Sequence, residues 1–71
     1  MSLAWQVMEE DIQCVIKRFE NVDESEVEKI FCNLDHHEVE EAVLSYDTFD
    51  DQVEASFDEI ERQMRELMGL T

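Results

Sequence analysis

The chain has 71 residues, of which 20 are Asp or Glu against five Lys or Arg, for a formal charge of −15. That length accommodates one domain, whose core is marginal unless its helices pack well or two copies associate, so a homodimer is a candidate assembly. The charge disfavours direct binding to nucleic acid or an anionic membrane and points to a basic protein surface as partner, although it also fits a halophilic or merely solubilising surface.

A hydrophobic content of 44% at helical spacing argues against disorder. No apolar run approaches the roughly 20 residues needed to span a bilayer, and the Met1 region lacks the basic start and apolar core of a signal peptide. The expectation is a soluble, cytoplasmic protein with no membrane partner. Cys14 and Cys32 suit reduced thiols packed as small hydrophobes better than a disulfide framework.

In chain order, Ser2 is the candidate cap of a first long helix running to about Glu20. Trp5, Met8, Ile12, Val15, Phe19 and Val22 recur at steps of three and four, and Leu3, Val7 and Ile16 widen the apolar face, which predicts burial against more than one neighbour.

The middle carries a repeat offset by twelve residues: Asn21-Val22-Asp23-Glu24-Ser25-Glu26-Val27-Glu28 and Asn33-Leu34-Asp35-His36-His37-Glu38-Val39-Glu40. Each copy reads as a helix junction. Asn takes the left-handed conformation that ends one helix, Asp caps the next, and Glu three residues on reaches back as in a capping box. Two short helices follow, about Glu24 to Asn33 and His36 to Tyr46. Their inward sets are Val27, Ile30, Phe31, Leu34 and Val39, Ala42, Val43, Tyr46.

Asp47-Thr48-Phe49-Asp50 opens the last helix, Asp50 to Leu70, with its cap ambiguous by two or three positions. Val53, Phe57, Ile60, Met64 and Leu67 form its apolar seam. Asp58 before Arg62 and Glu61 before Arg65 are acid-before-base pairs four apart that mark its solvent face. Two terminal seams of similar length predict an all-α fold, a small helical bundle of four helices in the order long-short-short-long. The terminal helices are expected to pack antiparallel, with Trp5, Met8, Met64, Met68 and Leu70 closing one end.

The sharpest local signal is charge. From Ile30 through Glu61 there are eleven acids and no Lys or Arg. Glu38, Glu40, Glu41, Asp47, Asp50, Asp51 and Glu54 are the candidate acidic docking face, on the third helix, the loop after it and the start of the fourth. Trp5, Met8, Phe19, Tyr46, Met64 and Met68 are the candidate apolar anchors. The face fits docking to a basic surface, imitation of the phosphate rows of DNA, or solvation alone.

Other chemistry finds less support. Cys32 and His36 stand four apart, but a helix junction separates them and paired zinc-ligand spacing is absent, so no metal is expected and the two histidines are read as exposed first-turn residues. Asp47, Asp50, Asp51 and Glu54 lack the alternating acids and central Gly of a calcium loop. Acids on a solvated helix have no burial to tune them for acid–base work, and no cofactor motif occurs, so enzymatic activity is not expected.

The segment from Glu9 to Tyr46 resembles the CUE/UBA class of three-helix ubiquitin-binding modules. The resemblance rests on Phe19, Asn21-Val22-Asp23, Ile30-Phe31, Val39, Ala42, Val43 and Tyr46. It implies that the first loop and the end of the third helix hold the hydrophobic patch of ubiquitin, which is bordered by basic residues. Arg18-Phe19-Glu20 stands where the class has Met-Phe-Pro, Ser45-Tyr46 stands for its closing di-leucine, and the fourth helix lies outside the module. The expected function is a non-enzymatic interaction module, an adaptor or inhibitor, docking a basic partner; a DNA mimic and a ubiquitin binder are the alternatives.

Overall fold

The computed structural model describes residues 7–69, and their regular secondary structure is helical. The helices are α1 (Glu9–Ile16), α2 (Val27–Asn33, preceded by a 3-10 turn at Glu24–Glu26), α3 (His36–Leu44) and α4 (Phe49–Leu67). Among the described residues there is no strand. The fold is the expected all-α bundle. Its long dimension, 37 Å against 19 Å in the other two directions, follows α4, whose 19 residues span about 28 Å at 1.5 Å per residue.

The α4 helix is the common wall, packing most extensively on α3 and also on α1 and α2, while α1 packs on α2. Ile12 and Val15 from α1, Val39 and Val43 from α3, and Ile60 and Met64 from α4 are all but fully buried. Val27, Ile30 and Leu34 extend this core on the α2 side. Helices of seven to nine residues do not persist alone in water, so α1, α2 and α3 exist because each lays its apolar face on this cluster.

The first helix is short, and the long-short-short-long order does not hold at its amino end. It starts after Met8, whose N–H donates to Asp11 Oδ2 at 2.9 Å, so the cap is at Met8 and not at Ser2. At the other end the N–H groups of Arg18 and Phe19 donate to Val15 O and Ile16 O, three residues back, and the helix ends short of Glu20. Both side chains are then taken up by α4. The guanidinium of Arg18 donates to Asp58 and Glu61, and that of Arg65 lies 5.3 Å from the Phe19 ring centre. Ser2, Leu3, Trp5 and Leu70 lie outside the described residues. Of the expected end closure, Met64 is buried, Met68 half-buried and Met8 exposed.

The two repeat copies behave differently. Asp35 caps α3, its Oδ1 accepting from the Glu38 N–H at 3.3 Å. Asp23 makes no side-chain cap bond, and the turn after it closes through Glu26 N–H to Asp23 O. Neither Asn is left-handed: among the described residues only Gly69 has positive φ, at 66°, where it ends α4. Asn33 instead stays helical and donates its side-chain amide to Lys29 O at 2.8 Å. The cap of α4 is Thr48, whose hydroxyl accepts from the Asp51 N–H at 3.3 Å. The buried stripe of α4 includes Ser56 and Gln63, while Val53 and Phe57 are half-buried and Leu67 is exposed, so the helix is rolled away from its purely apolar seam.

Candidate interaction surface

Three large apolar side chains stand out in water within six residues of the α3–α4 turn: Leu44 (61% exposed), Tyr46 (48%) and Phe49 (68%). Their neighbours in the helix, Val39 and Val43, are buried, so α3 has apolar residues on two faces. At 100° per residue Leu44 lies about 100° from Val43, outside the arc that meets α4. The turn itself is built by local bonds. The Tyr46 N–H donates to Val43 O at 3.1 Å, and the Gln52 side-chain amide donates to Tyr46 O at 3.0 Å. These hold the turn against the first coil of α4 and keep the Tyr46 ring at the surface.

Carboxylates surround that turn. Asp47, Asp50, Asp51 and Glu54 are exposed, and Glu40 is half-buried on α3. Among the described residues none of these five forms an ion pair. Glu41 Oε1 lies 3.0 Å from His37 Nε2. The seven acids do not share one face. Glu38 lies at the opposite end of α3, in a recess with Asp35, Arg62 and Gln63, and about 160° around the helix from Glu40. What the structure brings together is Asp51 and Glu54 with Tyr46. These three, with Ala55 and Asp58, line a notch of about 220 Å³. It shares Tyr46, Ala55 and Asp58 with a shallow cleft of about 420 Å³ between α3 and α4, lined also by Ala42, Ser45, Glu59 and Arg62.

The basic residues of α4 are engaged elsewhere. Arg62 donates to Glu59 at 2.6 and 3.0 Å and to Glu66 at 2.9 Å, and Arg65 donates to Glu61 at 3.2 and 3.3 Å. Hydrogen bonds from Arg62 hold the Glu59 carboxyl below its ordinary range against the opposing effect of partial burial, and Gln63 adds a further donor. Arg18 does the same for Glu61, again against desolvation, with Arg65 assisting. Three arginines thus hold four carboxylates, those of Asp58, Glu59, Glu61 and Glu66, in ion pairs.

Of the expected anchors, Tyr46 is at the candidate surface. Met64 has no exposed surface and belongs to the core, because α4 turns it between the helices it packs against. Phe19 is half-buried and covered on one side by Arg65. Met68 is half-buried beside Val22 and Lys29 in a separate groove, and Met8 sits at the start of α1. Leu44 and Phe49 were not among the expected anchors. Leu44 breaks the polar outer face of α3, off the helical period, which is a signal readable in the sequence, whereas Phe49 stands four residues before Val53, in step with the α4 seam, so the period does not announce its exposure.

The cysteines and one histidine are placed otherwise than expected. Cys14 and Cys32 are free and exposed, not packed as small hydrophobes. His36 is half-buried, with its Nε2–H donating to Phe31 O at 3.0 Å and its ring edge-on to Phe31 at 4.9 Å; it closes the end of α2, whereas His37 is exposed. Among the described residues no three His, Cys, Asp or Glu side chains converge to hold a metal ion, and no helix is long and apolar enough to cross a membrane. Comparison with protein-family models, curated proteins and solved structures returns no match for the chain.

Proposed function

We propose that the protein is a non-enzymatic docking module, an adaptor or inhibitor, that binds a basic protein surface through the α3–α4 turn. The observation that carries this reading is the exposure of Leu44, Tyr46 and Phe49 amid the carboxylates of Glu40, Asp47, Asp50, Asp51 and Glu54. Solvation alone accounts for the acids but not for three large apolar side chains in six residues. In such an interface the charges accelerate encounter and select the partner, and the apolar groups set its lifetime.

The test is affinity capture from host lysate at low and high salt with three baits: wild type, the reversal of Glu40, Glu41, Asp50 and Asp51 to Lys, and Leu44→Ser with Tyr46→Ser. The expected result is one basic protein retained by wild type at low salt and lost by both variants, with helical content by circular dichroism unchanged. Equal recovery of that protein by wild type and the charge reversal removes the docking reading.

A second reading draws on the resemblance to ubiquitin-binding modules, and Leu44 and Tyr46 at the exposed end of the third helix favour it. Titration of labelled ubiquitin decides it: shifts at ubiquitin's hydrophobic patch, abolished by Tyr46→Ser, support it, and unchanged spectra end it. A DNA mimic would be displaced from its captured target by duplex DNA, whereas an ordinary docking module would not.

A further inference from the structure

Resting on the docking reading, we infer that the notch beside Tyr46 receives an arginine side chain of the partner. It is lined by Tyr46, by the acidic residues Asp51, Glu54 and Asp58, and by Ala55. Asp51, Glu54 and Asp58 stand three and four apart on α4, so they form one stripe along the opening. A carboxylate stripe beside an aromatic wall matches a planar guanidinium, which donates hydrogen bonds at its edge and stacks on its face; an ammonium offers neither the plane nor the fork.

The fold contains a filled version of the same arrangement on the neighbouring side of α4. There the guanidinium of Arg18 lies 5.9 Å from the Phe57 ring centre and donates to Asp58 at 3.2 Å and Glu61 at 3.0 Å. Arg65 repeats it with the Phe19 ring and Glu61. Aromatic ring, carboxylates and α4 backbone recur beside Tyr46, but among the described residues no Lys or Arg lines that notch. Asp58 is shared, since Arg18 bonds its Oδ1. The small side chain of Ala55 leaves room for the side-chain stem, and the adjoining cleft, lined by Ala42 and Ser45, accommodates the chain that carries it.

The test uses the full chain, isotope-labelled, and two capped nonapeptides of alanine, leucine and serine that differ only in a central arginine or lysine. The expected result is saturable shifts at Tyr46, Asp51, Glu54 and Ala55, tighter for the arginine peptide. Tyr46→Ala should weaken that peptide by about two- to fivefold, the fold-change of an exposed cation–π contact, and erase the preference over lysine. Glu54→Gln should weaken both peptides, and Glu10→Gln, on α1, should change neither. Shifts spread over all the acids without saturation, or equal binding of the two peptides to wild type, overturn the inference. The failure of this inference is distinguishable from failure of the docking reading. Capture that is lost on charge reversal yet indifferent to Tyr46→Ala and Glu54→Gln overturns the notch and leaves docking intact, whereas capture indifferent to the charge reversal overturns docking.

Discussion

Gln63 on α4 and Asp35 at the start of α3 exchange two hydrogen bonds: Gln63 Oε1 accepts from the Asp35 N–H at 2.6 Å, and Gln63 Nε2 donates to Asp35 O at 3.0 Å. A primary amide is the side chain that both donates and accepts, so it completes the backbone of an extended residue as a neighbouring strand would. This supplies, from a distant helix, the bond to the capping residue's N–H that a capping box would draw from Glu38. It also ties the entry of α3 to α4 and thereby sets where α3 delivers the turn that bears Leu44 and Tyr46.

Replacing Gln63 therefore costs more than its size suggests. Gln63→Leu leaves the Asp35 N–H and C=O without this partner and is expected to destabilise the protein by about 1–3 kcal/mol. Gln63→Glu keeps an acceptor but loses the donor, and adds a charge near Glu59, so it should be no milder at neutral pH. Urea denaturation followed by circular dichroism measures both; a Gln63→Leu variant as stable as wild type would show the pair to be incidental.

The two repeat copies predict unequal caps. Asp35→Ala and Thr48→Ala each remove an observed side-chain cap and should cost about 1 kcal/mol, a fall in melting temperature of roughly 4–8 °C for a domain of this size. Asp23→Ala removes no such bond and should cost well under half as much. Equal losses at Asp23 and Asp35 would contradict the asymmetry.

At the centre, Ile60→Ala empties a fully buried position facing the other helices. A loss of about 2–5 kcal/mol is expected, enough to unfold much of a small domain at ambient temperature. Leu44→Ser, at the exposed turn, should change stability by only about 0.5 kcal/mol. Thermal melts of the two variants side by side separate the core from the surface proposed for docking.

The acid dependence follows from Glu59 and Glu61. Both carboxyls are held below their ordinary value of 4.5 in the folded protein. Their contribution is therefore present above that value and lost as pH falls through the lower folded-state value. Glu61→Gln, which removes a titrating group from the Arg18 and Arg65 contacts, should flatten the fall in stability as pH drops below the ordinary value of 4.5, relative to wild type. Added salt at neutral pH should raise stability by screening the repulsion among the unpaired acids, and a melting temperature indifferent to salt would count against that repulsion.

Much of the architecture is readable from local chemistry. Apolar residues at steps of three and four mark the helices, and Asp35 caps where its position before an apolar-periodic run says it should. These outcomes depend on residues within one or two turns of each other, so the sequence by itself determines them, along with the carboxylate-rich stretch between Ile30 and Glu61. The periodicity does not say which neighbour covers which face. Only the tertiary structure decided that α1 stops at Ile16, where α4 takes up Arg18 and Phe19, and that Asp35 gains Gln63 as partner from another helix while Asp23 makes no side-chain cap bond. The same packing rolls α4 to bury Met64 and leaves Leu44, Tyr46 and Phe49 in water. A side chain's apolar character is its own, but its burial is a property of the elements around it.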